Sequence, residues 1–293
     1  RVTGMKLWKR IGWLALGITP VTAVFIWQTL VSTVGIMVYA VYIRLQTGDT
    51  LEGDGAYEQM LADFTSGQSY NILMFVVYIG YLIIFGLWYW LMYVRREKTG
   101  AGKQVLKPHR IVGIIGCGIA IQIAISMLLT VLLPLFPTVQ DNYMQIMSTL
   151  GNESIFMVIC VCILAPIGEE LIFRGLTFRI FRNALPWQAA WIIQAIAFGV
   201  YHLNLVQGIY ATVLGLILGY TAYRYGSVIP GILLHMAINS SSYLISYLLP
   251  AELENQVWMQ LVLGGIGILA GIGFSVLYLK GVNPKNSIKE ANS

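Results

Sequence analysis

The chain alternates long apolar stretches with short polar ones, and the length of the apolar stretches decides their structure. Eight of them, 16–43, 71–94, 111–133, 155–173, 187–203, 207–225, 228–249 and 260–279, carry few or no charges. A helix needs about 20 mostly apolar residues to cross a ~30 Å hydrocarbon core, and in that core only helices and closed barrels satisfy their own backbone. The expected fold class is therefore all-α: a polytopic membrane protein, a bundle of about eight transmembrane helices. These helices consume most of the 293 residues, leaving no interval of the ~50 or more residues that a soluble domain needs. Residues 1–293 read as a single membrane domain. The longest polar interval, about 44–70, is acidic and contains glycine, and reads as an exposed loop. The first apolar run is too long for a signal peptide and lacks its small-residue cleavage site.

Composition points the same way, with 57% hydrophobic and 11% charged residues and a mean hydropathy of +0.73. Charge placement then suggests an orientation, because basic residues near span ends are retained in the cytoplasm. With eight alternating spans, Arg1, Lys6, Lys9, Arg10, Arg95, Arg96, Lys98, Lys103, Lys107, Arg110, Arg179, Arg182, Arg224, Lys280, Lys285 and Lys289 all fall on one side. The other side receives Asp49, Glu52, Asp54, Glu58, Asp63, Asp141, Glu153, Glu252 and Glu254, with Arg44 as its basic exception. Both termini are thus expected in the cytoplasm. The net charge of +5 calls for anionic headgroups rather than nucleic acid, since the basic residues sit at membrane ends. Cys117, Cys160 and Cys162 lie in apolar runs and read as small hydrophobes. Gly215 with Gly219, and Gly267 with Gly271, have the small-xxx-small spacing of closely packed helices.

Against this background a few ionisable groups stand out, because such groups are expensive in hydrocarbon and mark function. In Pro166-Ile-Gly-Glu-Glu-Leu-Ile-Phe-Arg-Gly175, Glu170 and Arg174 share a helix face at i,i+4 and can pair. Glu169 points about 100° away and needs another partner or a proton. His202 and His235 interrupt later apolar runs, and Asn239 follows His235 at i,i+4, so the two offer donors to a common point. His109 precedes the third span in a basic loop and reads as solvated.

This set suggests hydrolysis by an activated water. Glu169 would take the proton, His202 would orient or share the water, and His235 with Asn239 would stabilise a tetrahedral oxyanion. Other intramembrane hydrolases leave different marks, and the chain has no H-E-x-x-H, no G-x-S-G and no aspartate within an apolar run. Ser240, Ser241 and Ser242 read as small polar packing residues.

Glu169-Glu170-x-x-x-Arg174, Phe198-x-x-x-His202 and His235-x-x-x-Asn239 together resemble the motif set of the CPBP family, the CAAX prenyl endopeptidases and bacteriocin-processing or immunity proteins also called Abi. The resemblance covers about residues 150–245, the catalytic core spans. It implies an intramembrane glutamate endopeptidase in a bacterial plasma membrane, an eight-helix bundle with a cytoplasm-facing cavity, and Glu169, His202, His235 and Asn239 as the catalytic group. Glu170 and Arg174 would support the site by orienting Glu169, and Phe198 belongs to the same motif set. The partners it implies are membrane lipids and a peptide or protein substrate, either prenylated or a leader-containing precursor.

Metal-free catalysis is favoured, because Asn239 suits an oxyanion better than a metal. The competing cofactor is a zinc ion held by Glu169, His202 and His235. The competing function is a noncatalytic scaffold that binds a membrane protein partner, such as a membrane enzyme or sensor kinase. Depth presents a difficulty, since Glu169 and His235 belong to the basic half of the bundle, roughly 10 Å in, whereas His202 ends the fifth span on the far side. A fifth span that starts deep, after an interfacial segment at about 176–186, or a break near Gly199, would reconcile them.

Overall fold

A computed structural model describes residues 5–47, 55–95, 107–150, 154–248 and 256–282. These residues form ten helices and no strand. They are α1 (Leu7–Thr47), α2 (Ala56–Ser66), α3 (Gln68–Tyr89, prolonged by a π turn Trp90–Val94), α4 (Pro108–Leu132) and α5 (Pro137–Leu150). There follow α6 (Ile155–Phe181), α7 (Trp187–Tyr201), α8 (Leu205–Tyr225), α9 (Ile229–Leu248) and α10 (Val257–Leu279). Every one of the eight apolar stretches is helical, which makes the protein an all-α polytopic membrane protein. Six helices, α1, α3, α4, α6, α8 and α10, are long and apolar enough to cross a membrane. α7 is only 15 residues long, and α9 carries His235, Asn239 and four serines.

The interval read as a loop at 44–70 is different in the structure. α1 continues to Thr47, and α2 is an amphipathic helix that buries Met60 and Phe64 while its acidic face stays exposed. Polarity along the sequence concealed an apolar stripe of only two residues at i,i+4. α5 is a second polar-interval helix of the same kind.

Inward-facing residues from α3, α4, α6, α7, α8 and α9 form the core, with Tyr81, Phe85, Ile114, Ile172, Phe173, Phe198, Leu218 and Leu234 at most 1% exposed. The outer faces of α1 and α10 are lined with exposed Leu, Ile and Val, the surface a bilayer requires. Small residues set the closest approaches. A Cβ on Gly215 would meet Ala195 at 2.8 Å, and one on Gly267 would meet the carbonyl of Ala120 at 2.9 Å, so both glycine pairs mark helix contacts. The three cysteines are buried and free.

Basic residues gather at one end of the bundle. Arg179 donates to the carbonyl of Gly226 (2.6 Å), Arg224 donates to that of Val282 (2.5 Å), and the Arg110 guanidinium lies over the Tyr225 ring (5.8 Å). The elements from three different connections therefore meet at this basic end, as the charge pattern predicts. Arg1, Arg96, Lys98, Lys103, Lys285 and Lys289, and on the acidic side Asp49, Glu52, Asp54, Glu153, Glu252 and Glu254, lie outside the described residues.

Candidate active site

α6 carries the glutamates, and its backbone departs from a regular helix on both sides of them. Residues Cys160–Leu164 and Leu171–Phe178 are π-helical, flanking the α turn Ala165–Glu170. Pro166 permits the first of these. It has no N–H to donate, and in the widened register the Ala165 N–H reaches back to Cys160 O. Val161 O thereby loses both its α-helical donor, Ala165, and its π-helical donor, Pro166. Asn239 Nδ2 donates to this carbonyl from α9 at 2.9 Å.

Next to that turn, Arg174 Nη1 donates to Glu170 Oε1 at 2.7 Å, with both side chains at 0% exposure. This is the i,i+4 pair the sequence predicts. Glu170 Oε1 also faces His235 Nδ1 at 3.3 Å, and His235 Nε2 faces Glu169 Oε2 at 3.8 Å. A carboxylate only accepts, so the Nδ1 contact places a proton on Nδ1 and leaves Nε2 as the basic nitrogen turned towards Glu169. At 3.8 Å the second contact exceeds a direct hydrogen bond and suits one shared water. Glu170 Oε1 is thus shared between Arg174 and His235. Gly231 makes room for this arrangement, since a Cβ there would stand 2.7 Å from Glu170 Oε2.

Phe198 joins the histidines. Its ring meets His202 edge-on at 4.9 Å and 87°, and meets His235 at 5.8 Å and 89°. The Arg174 guanidinium caps the same ring at 4.3 Å. His202 Nδ1 lies 2.8 Å from the carbonyl of Phe198; a carbonyl accepts, so His202 also carries its proton on Nδ1. His202 ends α7, and Leu203 follows in the left-handed region at φ 53°. Non-glycine residues avoid this region, and it turns the chain sharply into α8.

The depth difficulty has a simple resolution. α6 extends to Phe181, and Leu176, Thr177, Phe178, Ile180 and Phe181 are buried, so residues 176–186 include no exposed interfacial segment before the Arg182–Pro186 turn. α7 is unbroken at Gly199, which instead marks the close approach of α7 and α8 at Gly208 and Thr212. Its 15 residues rise only about 22 Å, so His202 stops inside the bundle, level with Phe198.

A cavity of about 340 Å³ lies beside Asn239, between α4, α5, α6, α8 and α9. Of the four candidate residues, Asn239 alone lines it. Its walls come from the second half of α4 and α9 and from the first half of α6 and α8, so it occupies the half of the bundle away from the basic end.

Sequence reasoning missed several neighbours. Tyr78, Tyr81 and Tyr201 lie within electrostatic reach of Glu169, and the hydroxyls of Tyr81 and Tyr201 are 3.1 Å apart. Tyr201 adjoins His202 in sequence, but a tyrosine in an apolar run gives no signal of its own. Among the described residues no three His, Cys, Asp or Glu side chains gather closely enough to hold a metal ion. Glu169, His202 and His235 are not drawn together as a zinc site in this arrangement.

Comparison with known families reaches the same region of the chain. The family model Rce1-like, described as type II CAAX prenyl endopeptidase Rce1-like, matches residues 151–241. The matched segment is similar to that family. It runs from the start of α6 past Asn239 and contains Glu169, Glu170, Arg174, Phe198, His202, His235 and Asn239, in accord with the CPBP resemblance. No curated protein and no solved structure matches the chain.

Proposed function

We propose that the protein is an intramembrane endopeptidase that hydrolyses a peptide bond with a water activated by Glu169 and His235. The observation that carries this reading is His235 set between two glutamates, with Nδ1 at 3.3 Å from Glu170 and Nε2 at 3.8 Å from Glu169. Glu170 is itself charge-paired with Arg174, so it holds the imidazole in one tautomer and one orientation, as an orienting carboxylate does beside a catalytic base. Water between Glu169 Oε2 and His235 Nε2 gives its proton to Glu169 as it attacks the carbonyl carbon. The protonated Glu169 then returns that proton to the leaving amine. Asn239 has a second amide hydrogen beyond the one given to Val161, and we assign it to the developing oxyanion.

No step needs a metal. The substrate is a peptide or protein, either prenylated at its C-terminus or a leader-containing precursor, and the one-sided basic residues support cytoplasmic termini. Purified protein in detergent, incubated with a prenylated C-terminal peptide and with a leader-containing precursor, tests the function. Cleavage at a defined bond, read by mass spectrometry, is expected. Absence of cleavage across such a panel by folded protein would favour the scaffold function.

A further inference from the structure

Trp27 and Gln28 on α1 turn into the bundle and carry polar groups to α3. Trp27 Nε1 donates to the carbonyl of Val77 at 3.0 Å, and its ring fills the space that Gly80 leaves on α3. Beside it, Gln28 Oε1 accepts from the Tyr81 hydroxyl at 3.3 Å. The Tyr81 hydroxyl in turn lies 3.1 Å from that of Tyr201, the last residue of α7. A phenol has one proton to give. With the proton of Tyr81 given to Gln28, the bond between the two tyrosines takes the proton of Tyr201. The chain of hydrogen bonds therefore runs one way, from Tyr201 to Tyr81 to Gln28, and joins three helices.

This chain touches the site from two directions. Tyr81 packs against the turn that carries Glu169, since a Cβ on Gly168 would stand 3.0 Å from the Tyr81 Cβ. Tyr201 immediately precedes His202, with its ring 5.3 Å from the imidazole and 5.5 Å from the ring of Phe173 on α6. His202 bonds through Nδ1 to the carbonyl of Phe198, which belongs to the same helix, so that bond sets the ring on α7 without setting α7 against α6. Trp191 and Gln194 bond α7 to α8, but they lie about two turns or more before Tyr201. Just beyond Tyr201 the backbone turns at Leu203, which is exposed. The Tyr201 hydroxyl thus ties the last turn of α7 to the α3 residue that packs on Gly168.

We propose that Tyr201 and Tyr81 are positioning residues, whose hydrogen bond, anchored on Gln28, sets the end of α7 and with it the place of His202 relative to Glu169. α1 and α3 lie outside the segment that matches the family model, and through this chain they help to build the site. Tyr201 has no second proton to offer a substrate oxygen, so it acts through His202 and not on the reacting atoms. The proposal rests on the endopeptidase reading only in counting His202 among the groups that serve the reaction.

Histidine spectra test the tie without needing catalysis, because the chain has three histidines. Nitrogen NMR of the full chain in detergent, isotopically labelled at its histidine rings, gives three sets of ring signals, assigned with His109→Gln, His202→Gln and His235→Gln. The parent should show His202 as a single tautomer protonated on Nδ1, as its contact with Phe198 requires. Tyr201→Phe and Tyr81→Phe keep the rings and their packing, so both should fold. Each should move the His202 signals and leave those of His109 in place, and each should lower kcat about five-fold at unchanged KM, the factor that one neutral hydrogen bond sustains. Both remove the same bond, so the double variant should match either single one. His202 signals unmoved in both single variants would overturn the tie, whatever happens to cleavage. Moved signals with the kcat of the parent would overturn the positioning role, and additive effects in the double variant would overturn the shared bond. Since the spectra need no substrate, failure of the tie and failure of the protease reading are told apart.

Discussion

Asn239 donates through Nδ2 to the carbonyl of Val161 at 2.9 Å, the carbonyl that Pro166 deprives of an intrahelical donor. This bond ties α9 to α6 one turn beyond His235 and about two turns before Glu169. Asn239 is thereby a structural tie as well as a candidate oxyanion donor. Asn239→Ala should lower the cleavage rate by the ~10²–10³-fold expected of one oxyanion donor and should cost about 1–3 kcal/mol for the orphaned carbonyl. Pro166→Ala restores an N–H to α6, so in that background the stability loss from Asn239→Ala should shrink while the rate loss stays. Thermal unfolding and cleavage, measured on the four proteins in one detergent, check this. Equal stability losses in both backgrounds would remove Pro166 from the explanation.

The Glu170–Arg174 pair is buried to 0% exposure, so removing one partner strands the other. Glu170→Gln should destabilise by about 3–5 kcal/mol, and Arg174→Met by a similar amount. The double variant should lose less than the sum, since neither charge is then left alone. A double-mutant cycle on chemical unfolding tests the coupling. Additive losses would mean that the two side chains do not depend on each other.

Phe198 contacts both histidines and the guanidinium of Arg174. Phe198→Leu keeps an apolar side chain but removes the ring edge and face, so folding should survive with a loss of roughly 1–3 kcal/mol. Cleavage should fall by more than the fraction unfolded, because the imidazoles lose their lateral support. Activity per folded molecule is the relevant readout, and a value equal to that of the parent would reduce Phe198 to simple packing.

For a reaction without a metal, dialysis against a strong chelator should leave cleavage unchanged, and metal analysis of active protein should find far less than one zinc per chain. Chelator-sensitive activity restored by zinc would favour the Glu169, His202 and His235 site in another arrangement of α7.

Much of this protein is written in its hydropathy. The eight apolar stretches needed only length to be recognised as helices, and the Glu170–Arg174 pairing needed only the helical period. What escaped was set by tertiary context. α2 and α5 lie in polar intervals where a two-residue apolar stripe is indistinguishable from a loop. The π turns around Glu169 depend on a register shift that Pro166 permits but does not dictate. Which glutamate would orient which partner could not be read from spacing, because His235 lies on another helix and its ring had to be placed before its nitrogens could be assigned. The position of the cavity, in the half away from the basic end, was likewise invisible until α5 and the N-terminal half of α8 were brought against α9.

The central claim is that Glu169 is the base, and replacing its carboxylate by an amide of the same shape tests that claim most directly. Cleavage of the same substrate is compared for parent and Glu169→Gln in one detergent, alongside thermal unfolding. The account predicts a loss of at least ~10²-fold in rate, as for removal of a general base, with the unfolding temperature preserved. A folded Glu169→Gln protein that cleaves at the parent rate would contradict it.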